Sequence, residues 1–554
     1  MKKIYEEAKA IWEHKGYSLC VLITAVCSYG FAICHPIVGI DDSAIGRYFE
    51  DGLGPIMGRF GYFLLNKVCR VAEYTPFIGD LIGVLLMVLG ASVWCVLWGR
   101  VIGRRLSPVA ATVFSCVMIS SPMISEVFIY YLHNGVGICY LLSAIMMLYF
   151  VDAMEAKGWQ RVQKLGIVLL LMWIINSFVE SFTVVFLMAI IMVWILQCVF
   201  DRRRITFRMM CTQGICAGII LVVSILLRTV TIELLTYAFS LQDQIGIMNR
   251  RSVLEALGWF QSQQGFADLV MTIKKYIAMY YVNAIAYLPV RIYLAGVIAL
   301  GVYSLYYLIR HRRVFPLLGV GAMQLVPLLL MLIEGHATYY RNSQYVPIYV
   351  GFAVMLLTLL LESVRMAGKK RSVIIGAWCV LMGILVYNQA HEMTQWFYVD
   401  YMKYEDAQNT MNLISYELEQ NHDTSKPVVF VGNYQIPESI VEKMYVKYDS
   451  KEYEMIKGIL DVLDPNLKDC FAMDYGYSLS SEAVYSVFTW GNIAFEVWDK
   501  ENHDFFAMHG HGFVRIMDPE ECRAIQDKHR GTMPAWPLEG SIVETEEYIV
   551  VNFG

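Results

Sequence analysis

Residues 17–47 read YSLCVLITAVCSYGFAICHPIVGIDDSAIGR, and this stretch decides the fold class. Its first part, residues 17–35, is an apolar run close to the ~20 residues that a helix needs to cross a bilayer. Two adjacent carboxylates, Asp41 and Asp42, follow within a few residues. Ionised groups beside lipid are costly, so they usually have a function. The stretch therefore predicts a membrane helix followed by a loop that carries chemistry.

The rest of the chain repeats the apolar pattern. Of 554 residues, 57% are hydrophobic and 17% are charged, which is too apolar for a soluble protein of this size. The pattern predicts a polytopic α-helical membrane protein with about eleven transmembrane helices. The predicted helices cover residues 17–35, 76–98, 107–124, 130–152, 165–177, 180–200, 209–232, 287–309, 314–333, 346–364 and 372–388. The pair at 165–200 is short for two full crossings.

The charges are distributed unevenly along the chain. Residues 389–554 carry a net charge of −17, whereas residues 1–388 carry +12. The basic excess lies in short loops that follow even-numbered helices or precede the first, so it indicates membrane orientation rather than nucleic-acid binding. With eleven crossings the N-terminus is inside and the C-terminus outside. We therefore predict a transmembrane domain at 1–388 and an extracytoplasmic domain at 389–554.

The C-terminal part has the pattern of a small α/β domain. Lys426–Gly432 is typical of a buried strand that ends at a glycine turn, and Tyr548–Val551 of a final strand. Helices are predicted at Asp406–Gln420 and Glu438–Val446. No glycine-rich phosphate loop is present in the sequence of this part. Spacing leaves open whether Cys470 and Cys522 form a disulfide.

The external loop at residues 36–75 contains a helical apolar pattern. Ile56, Phe60, Phe63, Leu64 and Val68 recur at helical spacing. This predicts an amphipathic helix that lies either on the outer membrane surface or on the outer face of the protein itself.

The same loop holds the residues with the clearest chemistry. A carboxylate of Asp41 or Asp42 could act as a general base that removes a proton from an attacking hydroxyl; the alternative is that an aspartate only caps the following helix. Arg47 and Arg59 oppose the orientation bias on the outer side. Their guanidinium groups suit a phosphate, unless they pair with neighbouring acids.

Other polar residues fall at predicted outer turns and could line the same cavity. Aromatic rings with hydrogen-bonding groups suit a sugar, and an arginine suits a phosphate; an interfacial aromatic belt is the alternative. These candidates are His133, Asn134, Glu180, Glu334, His336, Tyr340 and Arg341. Arg228 is interpreted as snorkelling to the interface or pairing with Glu233. No metal site is predicted; a divalent metal ion is left open.

Several of these motifs together resemble a known family. Ile40–Arg47, then Gly58–Phe60, then a second helix entered through Thr75–Phe77 resemble the Gtr-type membrane glucosyltransferases, which modify bacterial O-antigens and related surface polymers. Arg341 before an apolar helix and Pro534–Pro537 are also similar. Related sequences often carry Tyr-Gln at the outer hairpin, where this chain has Val179–Glu180.

The resemblance implies a fold and a mechanism. The family is similar to the GT-C class, which takes a sugar from a polyprenyl-phosphate carrier on the outer face of the bacterial cytoplasmic membrane. It implies an inverting displacement with Asp41 or Asp42 as base, and with Arg59 and Arg341 holding the lipid phosphate. A hexose such as glucose would be transferred to a surface glycan, a teichoic acid or a glycolipid.

Two other function classes are alternatives to the glycosyltransferase. A transporter or lipid flippase predicts charged or broken helices at the membrane midplane and an internal repeat, whereas the notable charges of this chain lie at helix ends. An extracytoplasmic sensor or scaffold would need neither the external aspartate pair nor a polar cavity. The glycosyltransferase is the interpretation that uses all of these features.

Overall fold

The structure is a computed structural model dominated by helices, eight of them long and apolar enough to cross a membrane among the residues described. The described residues are 2–35, 37, 53–56, 58–69, 77–125, 135–200, 206–241, 265–282, 288–334, 340–364, 368–434, 436–441, 445–446, 451–465, 467, 477–478 and 499–554. The molecule is a helical membrane protein with a small sheet near its C-terminus.

Each of the eleven predicted apolar segments falls in a helix. The helices that precede residue 200 are α1 Lys2–Trp12, α2 Lys15–Cys34, α3 Leu53–Ile56, α4 Phe60–Cys69, α5 Ile78–Ile102, α6 Pro108–Ile119, α7 Gly135–Glu155, α8 Gly158–Asn176 and α9 Phe182–Val199. Those that follow are α10 Phe207–Ala238, α11 Gly265–Ile277, α12 Leu288–His311, α13 Phe315–Glu334, α14 Tyr345–Ser363 and α15 Gly368–Asn421. The eight long apolar helices are α2, α5, α7, α9, α10, α12, α14 and α15. Helices α6 and α13 are apolar but shorter.

Small residues and stacked aromatic rings build the core of the bundle. Helices α5 and α7 approach closely at Gly90. A side chain there would meet the backbone nitrogen of Leu141 at 2.9 Å, so the approach depends on glycine. Such close backbone contact is what small residues allow between helices in lipid. Trp94 and Trp98 are fully buried on α5, with ring centroids 5.3 Å apart. This packing fixes α5 at the centre of the bundle.

Polar contacts gather several helix termini at one end of the bundle. Arg100, at the end of α5, donates to Glu7 of α1 at 2.7 Å and lies 3.5 Å from Asp152 of α7. Ser107, before α6, donates to Glu362 near the end of α14. Arg100, a member of one of the basic clusters predicted to lie inside, therefore lies at this end of the structure. The outer-turn candidates that are described lie towards the opposite helix ends.

The C-terminal part forms a three-layer α/β unit. Strands β1 Val428–Val431 and β5 Ile549–Asn552 are parallel, and β4 Ile542–Glu544 pairs antiparallel with β5. The end of α15 and helix α18 Lys500–Met508 pack on one face of this sheet, and helix α19 Pro519–His529 packs on the other. The predicted strands at Lys426–Gly432 and Tyr548–Val551 are confirmed.

One C-terminal element was predicted wrongly. The helix expected over Glu438–Val446 is only the short helix α16, Glu438–Val441. Residues Tyr445–Val446 instead form strand β2, which pairs with β3 at Tyr477–Ser478. An aromatic next to a β-branched residue favours a strand, so tertiary pairing prevails over helical periodicity here. Helix α17 Lys451–Leu463 follows.

Candidate functional site

The described part of the loop at residues 36–75 is docked on the turn between α8 and α9. The backbone N–H of Gly61 donates to the carbonyl of Ser177 at 2.9 Å. A side chain at Gly61 would meet that same carbonyl oxygen at 2.9 Å and the ring of Phe178 at 3.0 Å. Only glycine fits this contact. The backbone of α4 is thereby held against the hairpin that carries Glu180.

Aromatic rings extend the same contact. Tyr62 packs edge-on against Phe178, with ring centroids 5.1 Å apart, and its hydroxyl lies against Gly135 at the start of α7. Phe60 packs on Trp173 of α8 with centroids 5.6 Å apart. Gly58–Tyr62 therefore brings three helices together, and we call this segment the docked segment.

Helix α4 covers most of the predicted amphipathic segment, and its two halves differ; Ile56, where the pattern begins, lies in the separate helix α3. Phe60 and Phe63 are buried against the protein, whereas Leu64 is 41% exposed and Val68 82% exposed. The first half of α4 thus packs against the rest of the protein. Its second half presents apolar side chains outward, which is the arrangement of a helix at a membrane interface.

Arg59 has no carboxylate partner among the described residues. Its backbone N–H donates to Gly54 at 2.7 Å, and its side chain is partly exposed. Burial raises the pKa of the neighbouring Tyr62, while the Arg59 guanidinium opposes that rise. The phenol is therefore neutral near pH 7 and can donate a hydrogen bond. An arginine with no carboxylate partner in the described part of the chain is suited to an anionic oxygen.

Arg228 pairs with Glu180, so the expected pairing with Glu233 or snorkelling is wrong. The guanidinium of Arg228 forms an ion pair with Glu180 and also donates to the carbonyl of Gly58 at 3.2 Å. Residues five apart on a helix lie on different faces, because the helix has about 3.6 residues per turn. Glu180 instead comes from a hairpin 48 residues earlier. Arg228 thereby joins α10 to the docked segment and the hairpin.

A second group of polar residues lies at helix ends around Tyr340. The short helices Pro122–Ile124 and Tyr340–Asn342 are in contact. Tyr340 is buried and donates to the carbonyl of Met279 at 3.0 Å. Tyr140 donates to the carbonyl and the side chain of Gln344 at 2.9 Å each. The chain ends that flank residues 126–134 and 335–339 are thus held side by side.

Sequence reasoning missed a buried tyrosine network around Gln324. Tyr281 and Tyr293 donate to its side-chain oxygen at 3.0 and 2.7 Å, and Tyr276 donates to its carbonyl at 2.6 Å. The signal in the sequence is the spacing of tyrosines in Tyr276–Tyr281. Because these hydroxyls all bond to Gln324, the network joins α13 to α11, to Tyr281 and to α12.

Several predicted site residues lie outside the described residues. These are Asp41, Asp42, Arg47, His133, Asn134 and His336, and the side chains of Glu334 and Arg341 also lie outside them. Of the candidate set, the structure places Arg59, Glu180 and Tyr340. It brings Arg59 and Glu180 together through the docked segment.

The described part of the C-terminal unit offers no cation site. Among the described residues, no group of three or more His, Cys, Asp or Glu could hold a metal ion. His503 bonds to the carbonyl of Val428 at 2.9 Å, and His509 to Tyr404 at 3.0 Å. Cys522 is a buried free thiol, so it forms no disulfide in this structure; Cys470 lies outside the described residues.

Comparisons with known proteins yield no assignment. No protein-family model matches the chain, and no curated protein or solved structure matches it.

Proposed function

We propose that this protein is a membrane glycosyltransferase of the Gtr-like, GT-C type. It moves a hexose, glucose in the first instance, from a polyprenyl-phosphate carrier to a surface glycan, teichoic acid or glycolipid. The observation that supports this most is the docked segment, which presents Arg59 beside a braced acidic hairpin and, among the described residues, without a carboxylate partner. An anionic lipid phosphate is the ligand that this arrangement suits.

The proposed topology places the chemistry on one side of the membrane. All eleven apolar helices cross the bacterial cytoplasmic membrane, with the N-terminus inside and the C-terminal α/β unit outside. Helix α4 then lies at the outer interface, and its exposed residues Leu64 and Val68 face the lipid. An amphiphilic donor has to be met at such an interface, because its isoprenoid chain stays in the hydrocarbon region.

The proposed reaction is a single inverting displacement. Asp41 or Asp42 removes the proton from the acceptor hydroxyl as its oxygen forms a bond to the anomeric carbon. The bond between that carbon and the phosphate oxygen breaks, and the polyprenyl phosphate leaves with the bonding electrons. Arg59 and Arg341 stabilise the charge that develops on the phosphate.

The braced hairpin gives Glu180 a supporting role in this proposal. Its carboxylate is 39% exposed, and one of its oxygens is engaged by Arg228. A carboxylate has about four lone-pair sites, so one that is partly exposed can accept from a sugar hydroxyl as well as from an arginine while its position is fixed. The resemblance left this position in doubt, since related sequences often carry Tyr-Gln there. A glutamine would offer a similar hydrogen-bonding oxygen without the charge.

The experiment is sugar transfer in membranes that contain the chain, with a panel of labelled polyprenyl-phosphate sugars. Wild type is compared with Arg59→Gln at matched protein level. The proposal expects transfer from one donor and a raised KM for that donor in the variant. Absence of transfer from every donor, with acceptor present, would favour the transporter or lipid flippase instead.

A further inference from the structure

A groove opens at the surface of the bundle between three helices, remote from the docked segment. It has a volume of about 420 Å³, roughly fourteen times the ~30 Å³ that one water molecule occupies in the liquid. Its walls come from α2, α6 and α15. The lining residues include His14 and Ile23 at α2, Pro108 and Thr112 on α6, and Cys379 and Gly383 on α15.

The lining is suited to hydrocarbon. Most of these side chains are apolar, and the hydroxyl of Thr112 already donates to Pro108 of its own helix at 2.8 Å. A ligand with hydroxyl or amide groups would lose its hydrogen bonds to water here and gain few in return. Two of the walls, α2 and α15, are long apolar helices of the membrane-crossing kind. The groove therefore faces lipid.

Basic residues lie at the start of each of the three helices that form the groove. Lys15 follows His14 at the start of α2, and Arg104 and Arg105 precede Pro108 of α6. Lys369, Lys370 and Arg371 open α15, upstream of Cys379. All six of these basic side chains are exposed. We call them the basic rim.

The acids near this end do not cancel the basic rim. Glu13 lies beside Lys9, at 3.9 Å, and Glu362 accepts a hydrogen bond from Ser107. The same end also holds Glu7 and Asp152, but both face Arg100, which is not one of the six rim cations, so a clear positive excess remains. Basic pockets between membrane helices attract the anionic head groups of lipids.

We infer that this groove binds one anionic phospholipid, with an acyl chain between α2, α6 and α15 and its phosphate at the basic rim. The inference does not depend on the proposed glycosyl transfer. The acyl chain explains an apolar groove of this volume, and the phosphate explains why the cations gather at one of its ends. A neutral lipid would satisfy the groove but leave the basic rim unused.

Native mass spectrometry of the full chain tests this inference. The protein is purified in detergent and titrated with phosphatidylglycerol or, separately, phosphatidylcholine. Wild type should retain one phosphatidylglycerol and bind phosphatidylcholine more weakly. Replacing Lys369, Lys370 and Arg371 by glutamine should weaken the binding of phosphatidylglycerol by about fivefold for each lost charge. The binding of phosphatidylcholine should not change.

Filling the groove tests the acyl-chain half of the inference. A side chain at Gly383 would meet nothing within 4 Å, so Gly383→Phe should enter the groove without a clash. Each methylene that it displaces should weaken lipid binding about fourfold. Gly301→Phe is the matched control, because Gly301 on α12 also has open space around it and does not line the groove. Ile23→Trp, from the opposite wall, is the second filling variant should Gly383→Phe fail to fold.

Two results would overturn the inference. One is equal phosphatidylglycerol retention by wild type, Gly383→Phe and Ile23→Trp. The other is equal retention of the two lipids by wild type, which would remove the phosphate from the site. Sugar transfer can be measured on the same variants, so a failure of this inference is distinguishable from a failure of the proposed function.

Discussion

Replacing Gly61 by alanine should detach the docked segment from the hairpin. The added methyl group would lie 2.9 Å from the carbonyl oxygen of Ser177 and 3.0 Å from the ring of Phe178. Neither the backbone oxygen nor the packed ring can move away freely, so the segment itself has to shift. That shift also lengthens the hydrogen bond from Gly61 to Ser177.

The free-energy cost expected for Gly61→Ala follows from these contacts. Overpacking of this kind costs about 1–3 kcal/mol, and a strained backbone hydrogen bond adds about 1 kcal/mol. Alanine recovers about 0.8–1.0 kcal/mol from its better helix propensity within α4. A net loss of about 2 kcal/mol corresponds to roughly a thirtyfold shift towards the undocked segment.

Amide hydrogen exchange measures this shift directly. Exchange of residues 58–69 should speed up by roughly thirtyfold in Gly61→Ala, while the core of α5 stays protected. Gly166→Ala is the matched control, because a side chain there meets nothing within 4 Å on α8, the helix that leads to the same hairpin. Unchanged exchange in Gly61→Ala would refute the reasoning.

Three further predictions follow from the site and its surroundings. Arg59→Gln should raise the KM for the lipid donor without lowering the melting temperature. Arg228→Gln should lower both activity and the melting temperature, because it removes the ion pair that joins α10 to the hairpin at Glu180. Activity assays and thermal melts on both variants check this. The hydrogen bond from Lys426 lowers the pKa of the Glu544 carboxyl. The stability that this contact adds is therefore present above the unfolded pKa of about 4.3 and is lost as pH falls through the lower folded pKa. Glu544→Gln should reduce the loss of protease resistance of the C-terminal unit at acid pH, and an unchanged pH dependence would contradict this. Cys69 and Cys211 are both exposed, and the proposed orientation puts Cys69 outside and Cys211 inside. In intact cells an impermeant maleimide should therefore label a variant that keeps Cys69 as its single cysteine, and should not label one that keeps Cys211. The reverse pattern would contradict the proposed orientation.

Hydropathy was sufficient to locate the helices but not their ends. All eleven apolar runs fall in helices, because burying an unpaired backbone in lipid leaves the helix as the available local structure. Helix α15 runs on to Asn421, far past the predicted end at residue 388. No glycine or proline occurs between residues 389 and 421, so nothing in the backbone stops the helix where the charge changes.

The contacts between site residues that lie far apart in the chain could not be predicted from the sequence. The acidic hairpin at Glu180 and the cation at Arg228 were each noticed, but their contact depends on how α8, α9 and α10 pack. The glycine that makes docking possible, Gly61, is unremarkable in the sequence and is explained only by Ser177. Local patterns predict elements, whereas such contacts are set by the tertiary arrangement.

The central claim is that an external carboxylate acts as the base of a lipid-phosphate-dependent sugar transfer. The most direct test measures label transfer from the polyprenyl-phosphate sugar that wild type uses, with Asp41→Asn and Asp42→Asn at matched protein level. The account predicts that at least one of the two variants loses transfer by about 100-fold or more, the usual contribution of a positioned general base. Transfer at the wild-type rate in both variants would contradict it.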